Sequence, residues 1–403
     1  MSWCSLGHLF RVNIVDSKIY DTLHLRSAEL VQEKIGEHVA LYSQNSGAIV
    51  VTDDLGAAVL QGLQNAKSPT EIGSIIGQHL RDAFAPTESE AEEIGRAIID
   101  GWNSAGLFNE APAPFPKPIS GHATPTDIKT LTYGSRYGRF AVDTDDGLLV
   151  KELDEILAHY VDASATDAVG DPFRCLREAE GDLALSYQNE PIWSRTDRDE
   201  ARFLLLKEAA ARICGTERVG AVLHGAAVCN DQGRAIVFIG DSGYGKSTLT
   251  QGLVARGCRF LADDHVPLAL DGEAILAFPT AAAVKPDAVD LPEVQQLCAQ
   301  YEMYQSTREG VSYLALPAAT EAGTRHEIAA IVMPRYGEES EFTLEKLSPQ
   351  AAFAACISSG ARPNRDKPQI GSLARLCNTV PTYKLEYSSS EQSNQVCLDF
   401  LNP

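Results

Sequence analysis

The nine cysteines (positions 4, 175, 214, 229, 258, 298, 356, 377 and 397) include no C-x-x-C pair and no metal-ligand spacing. That excludes a thiolate zinc site or a thioredoxin-type redox pair as the organising feature. The cysteines read instead as reduced, small apolar side chains, as expected in the cytoplasm. No stretch reaches 18 apolar residues, so no membrane-spanning helix is expected. The first twenty residues lack a basic segment followed by an apolar run, so no export signal is expected either. Basic residues are in deficit, with 34 Lys and Arg against 55 Asp and Glu, a net charge of −21. Such an excess of negative charge argues against nucleic acid or an anionic membrane as the main partner. No internal repeat is visible.

What remains is a globular composition. The 403 residues, 44% of them hydrophobic, are enough for two or three domains with real cores. The most informative stretch is 235–264. Ala235 to Ile239 are five apolar residues that read as a buried strand, and they run into Gly240, Asp241, Ser242, Gly243, Tyr244, Gly245, Lys246 and Ser247. This satisfies G-x-x-x-x-G-K-S/T in full. The glycines allow a tight turn with backbone N–H groups pointing inward, Lys246 supplies a charge for β and γ phosphates, and Ser247 a hydroxyl for Mg²⁺. A helix opening at Ser247 adds its positive dipole end, and Thr248 follows in its first turn. Leu249, Leu253 and Val254 give that helix one apolar face, and Arg256 and Gly257 read as its basic last turn and C-cap.

A second apolar run, Phe260 to Ala262, delivers Asp263 and Asp264 at its end, about 16 residues past Ser247. Two carboxylates there suit a magnesium ligand and a base for an acceptor hydroxyl; a solvated acidic turn is the alternative. The short interval from loop to acid pair, with His224 and Gly225 upstream, resembles the HPr serine kinase/phosphorylase family and its relatives over roughly 222–268. That resemblance implies a P-loop α/β kinase domain using ATP and Mg²⁺. It assigns Asp263 as the base, Asp264 as the partner of Ser247 at the metal, and His224 a place near the acid pair. Two departures stand out. Thr248 occupies a position where classical members carry glutamate, and the family's later glycine- and glutamate-rich loop is missing. HPr as acceptor and the reverse phosphorolysis are therefore not expected.

Upstream, 37–43 and 48–52 read as a hairpin around Asn45, Ser46 and Gly47. Three helices follow. The first covers 54–64; the second opens on a capping box at Ser68 to Glu71, with Pro69 in its first turn; the third opens on a capping box at Thr87 to Glu90 and stops at Ala105 and Gly106. This order, with Trp102 to Phe108 at its end, resembles the PqqD-like domain that recognises ribosomally made precursor peptides. The resemblance implies that a leader peptide adds as a strand along 37–52 and packs against the third helix, 88–105. A winged-helix-like packing domain without a peptide is the alternative. Four glutamates against Arg96 on the third helix disfavour nucleic acid.

Residues 110–127 hold five prolines in eighteen positions and read as a linker. Residues 10–15 read as a strand or an extended arm. Beyond the linker, 131–150 read as strands with turns at Gly134 and at 145–147, and 151–160 as a helix. Residues 181–187 read as a strand and 202–214 as a helix with Phe203, Leu206, Ala210 and Ile213 on one face. A hairpin at 266–278, a strand at 328–334, a helix at 345–357 and a closing strand at 383–387 follow. Lys285 is either a nucleotide contact or a surface lysine. The loop 358–367 carries Arg362 and Arg365; Arg365 either reaches the γ phosphate, stabilising charge in transfer, or belongs to a solvated basic loop.

The expected architecture is α/β: a PqqD-like, winged-helix-like domain (1–109), a linker (110–127) and an HPr kinase-like P-loop domain (128–403). The expected activity is ATP-dependent phosphorylation of a serine or threonine hydroxyl of a precursor peptide, with the linker raising the local concentration of the peptide's core at the P-loop. A nucleotide-binding scaffold that delivers peptide to a partner modification enzyme, and a small-molecule kinase, are the alternatives. Self-association is compatible with either.

Overall fold

The computed structural model describes residues 23–81, 85–109, 127–161, 171–178, 182–306, 310–318, 320–367 and 369–402, apart from the side chains of 191 and 193–196. The arm at 10–15 and the linker proper lie outside the described residues. The chain divides into two units, Met1–Gln32 with Leu41–Glu110, and Glu33–Ala40 with Ala111–Pro403.

The amino-terminal part holds a sheet in the order β1 (Leu30–Ile35), β2 (His38–Ser43), β3 (Ile49–Thr52). The β2–β3 hairpin follows the alternation of the sequence. Strand β1 does not announce itself, because only Leu30 and Ile35 at its ends are buried and the residues between are polar. Helices α1 (Asp54–Gln64), α2 (Pro69–His79) and α3 (Glu88–Ser104) follow. Their starts obey local chemistry: Asp53 accepts from the Gly56 N–H at 2.9 Å, and Ser68 and Thr87 each form a complete capping box with the glutamate three residues on. Leu60, Leu63, Ile72, Ile76, Ile99 and Trp102 fill the core of this part.

The second unit opens with a five-stranded sheet in chain order, β4 (Lys129–Ser135), β5 (Gly138–Thr144), β6 (Phe173–Arg177), β7 (Leu183–Tyr187) and β8 (Glu190–Thr196). Gly134 lies within β4 rather than at a turn, which falls at Arg136 and Tyr137. Nor is 145–147 a turn between strands. Asp146 caps α4 (Gly147–Ile156), accepting from the N–H groups of Leu148 and Leu149, so the helix starts four residues earlier than the 151–160 expectation. A single 3₁₀ turn, Ala158–Tyr160, follows. Helix α5 (Arg198–Ile213) is capped by Asp197 and buries Ala201, Leu205, Leu206, Ala209, Ala210 and Ile213. Phe203 stands off this face, 36% exposed, contrary to the expected stripe.

The larger sheet runs β10 (Ala235–Ile239), β9 (Val219–Cys229), β12 (His265–Ala269), β13 (Ala274–Leu276), β17 (Arg325–Tyr336), β20 (Thr382–Tyr387), β18 (Thr343–Lys346). Strand β10 also pairs parallel with β17, and β17 parallel with β20. Strands β11 (Arg259–Ala262) and β19 (Arg362–Pro363) pair with β9. Residues 345 and 346 belong to β18; the helix there is α8 (Pro349–Ser358), set by Ser348 as cap and Pro349 in its first turn. Helix α6 (Lys246–Ala255) and helix α10 (Ser390–Leu401) bury Leu249, Leu253, Cys397 and Leu401 against Phe238, Val332 and Leu385. Helix α7 (Pro292–Cys298) packs with the small sheet β14 (Ala282–Val284), β16 (Ser312–Leu314), β15 (Met303–Gln305), and α9 (Gly371–Thr379) precedes β20. Eight cysteines, from Cys175 to Cys397, are all free.

Candidate active site

Strand β10 is buried at all five positions, as its apolar run requires, and it points the loop 240–245 at the end of the sheet. Gly240, Gly243 and Gly245 take φ of 132°, 91° and 94°, which only glycine adopts without strain. Gly245 is constrained twice, since a Cβ there would also lie 2.7 Å from the Tyr387 hydroxyl. Helix α6 then starts at Lys246, one residue before the sequence pattern suggests. The Lys246 Nζ folds back over the loop and donates to the carbonyls of Gly240 (2.7 Å) and Asp241 (3.1 Å). Burial pushes its pKa down, against the pull of Asp264 and Asp263.

Ser247 donates its hydroxyl to Asp263 Oδ1 at 3.1 Å, and the second carboxylate oxygen of Asp263 accepts from the Ala283 N–H at 2.9 Å. Asp263 is 5% exposed. Its burial, with Asp264 alongside, pushes its carboxyl well above the usual carboxylate range. Asp264 behaves differently. It is a non-glycine residue at φ 61°, its carbonyl accepts from the Gly225 N–H at 3.2 Å, and its side chain faces a cavity. The left-handed backbone costs about 1–2 kcal/mol and turns the chain sharply between β11 and β12.

His224 and His265 are register partners on β9 and β12. Phe203 packs on both rings, 5.3 Å from His224 and 4.6 Å from His265 between centroids. Burial lowers the pKa of both imidazoles, that of His265 to about 3, so His265 is neutral at any working pH. The Nδ1 of His224 and the Nε2 of His265 are buried without a hydrogen-bond partner. Gly225 is needed where it stands because a Cβ would fall 2.2 Å from the Phe238 carbonyl on the adjacent strand.

A cavity of about 530 Å³ opens over the loop, lined on the P-loop side by Ser242, Gly243, Gly245, Lys246, Ser247 and Thr248. Asp264, His224, His265 and Lys285 line it as well, together with Arg202, Phe203, Val311 and Tyr313. Of the residues expected at the site, Gly240, Asp241 and Tyr244 support the loop without lining the cavity, and Asp263 sits behind Ser247. Lys285 lines the cavity, and its Nζ donates to Ser242 Oγ at 3.3 Å. Arg365 is not among the lining residues; its guanidinium lies 5.5 Å from the centre of the Tyr187 ring. Arg362 is tied to the carbonyls of Ile357 and Ala361.

Sequence reasoning missed His265, Phe203, Arg202 and Tyr313. His265 directly follows the acid pair and was within reach of inspection. The other three arrive from α5 and β16, and only the fold brings them here. Arg202, 6% exposed, pairs with the buried Glu152 at 3.0 Å, and Ser306 donates to the other oxygen of Glu152 at 2.7 Å.

Among the described residues no group of three or more His, Cys, Asp or Glu side chains is arranged to hold a metal by itself. Ser247 and the two aspartates are a hard-oxygen set, and the Ser247–Asp263 bond aligns two of its members. Such a partial set fits Mg²⁺, which takes one or two carboxylates and completes its shell with water and substrate phosphates. Among the described residues no helix is long and apolar enough to cross a membrane.

No family model matches this chain, and no curated protein matches it. Among solved structures it is similar to the Hpr(Ser) kinase/phosphatase from Coxiella burnetii, at 13% identity and a TM-score of 0.22, over 45% of this chain and 92% of that one.

Proposed function

We propose that this chain is an ATP-dependent kinase that phosphorylates a serine or threonine hydroxyl of a precursor peptide. The observation that carries the kinase reading is the hydrogen bond from Ser247 to Asp263, which joins the phosphate loop to an acid pair beside an open cavity. The loop amides and Lys246 neutralise the phosphates, and Lys285 adds a second cation from β14's end. Magnesium, held by Ser247 and Asp263, would supply charge neutralisation on the β and γ oxygens. The geometry favours dividing the aspartates opposite to the family pattern. Asp263 is occupied by Ser247 and the Ala283 N–H, whereas Asp264 faces the cavity and can reach an acceptor hydroxyl. Asp264 therefore takes the proton. His224 and His265 line the cavity in which the acceptor lies.

The peptide half of the reading rests on β3. It is the outer strand of its sheet, with no strand beyond it among the described residues, and an open edge is what β-augmentation requires. A leader would pair along β3 alone, since β2 within the expected stretch 37–52 already has a strand on either side, and would lie on α3, as in PqqD-like domains. The test is transfer of label from γ-labelled ATP by the full chain to serine-containing peptides with and without an amino-terminal leader. Label appearing on leader-bearing peptides supports the reading; nucleotide binding with no labelled peptide points to a delivery scaffold.

A further inference from the structure

A second cavity, of about 370 Å³, lies on the other side of the phosphate loop. Gly243, Gly245, Thr248, Asp287 and Ala288 line both cavities, so the loop and the first turn of α6 form the partition between them. Lys246, Ser247, Asp264, His224 and Lys285 all line the first cavity and none lines the second. A triphosphate lying on the loop must therefore present its terminal phosphate to the first cavity. That cavity must also admit the acceptor. The remainder of the molecule has one direction left, over Gly245 and Thr248 into the second cavity.

The second cavity is built to receive a flat ring. Tyr336 and Tyr387 line it and meet edge to face at 5.7 Å; Tyr387 is buried, while Tyr336 is 51% exposed and offers a free surface. Two glycines let this wall approach closely, Gly245 in the loop and Gly252 within α6. The Tyr387 hydroxyl lies 2.7 Å from where a Cβ on Gly245 would be, and the Asn394 amide 2.9 Å from where a Cβ on Gly252 would be. Asn394 lines the cavity, is 1% exposed, and its Oδ1 is buried with no hydrogen-bond partner. A buried acceptor left unpaired costs about 1–3 kcal/mol, so it marks a place where a donor is expected. The carboxylate of Glu338 on the rim, which does not line the first cavity, disfavours phosphate there and suits a ribose hydroxyl.

We propose that the second cavity binds the adenosine of the nucleotide, with the base against Tyr336 and the adenine amino group donating to Asn394, leaving the first cavity to the acceptor. This rests on the nucleotide-dependent reading above.

The experiment is calorimetric titration of the full chain with Mg·ATP and Mg·tripolyphosphate, for the wild type, Tyr336→Ala and Asn394→Ala. Tyr336→Ala alters an exposed ring and should fold. The expectation is that it binds ATP about tenfold more weakly, as loss of one base-stacking surface predicts, and tripolyphosphate unchanged. Asn394→Ala, which removes the acceptor, should weaken ATP binding and leave tripolyphosphate binding unchanged. ATP binding by Tyr336→Ala at wild-type strength overturns the proposal while leaving nucleotide binding intact. A wild type that binds neither ATP nor tripolyphosphate overturns the nucleotide reading, and this inference with it.

Discussion

The Ser247 hydroxyl donates to Asp263 across 3.1 Å, linking the first turn of α6 to the end of β11 before any substrate is present. Asp263 is thereby held behind the loop, and Asp264, one residue on at φ 61°, is left to face the cavity. Adjacent carboxylates with different partners can take different parts in one reaction.

Asp264→Asn should therefore lower the rate of phosphoryl transfer by about 10²–10⁴-fold, the usual contribution of a general base, with ATP affinity little changed. Asp263→Asn should instead raise the magnesium concentration needed for half-maximal rate. Rate measurements across a magnesium series check both. Equal loss in both variants, with no change in magnesium dependence, would remove the division.

Gly245→Ala places a side chain in a left-handed conformation and 2.7 Å from the Tyr387 hydroxyl. The conformational part alone costs about 1–2 kcal/mol. Nucleotide binding should be lost in calorimetry, and Tyr387→Phe should restore it only in part, because it relieves the contact and not the φ.

Lys285→Ala removes a cation that bonds the loop at Ser242. Loss of one charged hydrogen bond of about 2 kcal/mol predicts roughly thirtyfold weaker Mg·ATP binding. An unchanged affinity would return Lys285 to the role of a surface lysine.

Removing magnesium with a chelator should abolish transfer. With Mg·ATP restored at a hundred times its Kd, the melting temperature should rise by the equivalent of about 2.7 kcal/mol. Thermal melts with and without the chelator read this directly.

Acid should attack the second unit at Asp146. This buried carboxylate caps α4, takes a two-point contact from Arg198 at 3.1 and 3.0 Å, and meets Arg177 at 3.4 Å. Burial alone would raise its pKa, but Arg198, the Leu149 N–H and Arg177 together hold it below the ordinary value. A depressed folded-state pKa means that the stabilisation is complete above the unfolded value, about 3.9. It is lost as pH falls through the folded one. Asp146→Asn should flatten the dependence of the urea midpoint on pH below about 4. Asp146→Ala should cost about 1–2 kcal/mol at neutral pH, chiefly through the lost cap of α4, since Arg198 and Arg177 are partly exposed to solvent.

Local chemistry explains why much of this molecule can be read in one dimension. Helices α1, α2 and α3 begin where Asp53, Ser68 and Thr87 can cap them, since an N-cap acts on amides two or three residues away. The phosphate loop is legible for the same reason: strand, glycines, lysine and serine are contiguous, and the conformation they need is a property of those residues. The mistakes are local as well. The acidic run at 145–147 looks like a turn until Asp146 finds Arg198, and residues 345–346 look helical until β18 pairs with β20.

What the linear order hides is everything that needs a second segment. Burial on β12 and the register opposite His224 turn His265 into a cavity wall. The packing of α5 brings Phe203 and Arg202 over the loop from more than thirty residues upstream. Arg365, close to the site in expectation, goes to Tyr187 instead. Motif chemistry is short-ranged and travels with the chain, so it marks the loop on which the proposed phosphate would be held. That two cavities flank this loop, the arrangement on which the proposed sides for acceptor and nucleotide rest, depends on strands and helices meeting through long-range burial, and only the folded structure shows it.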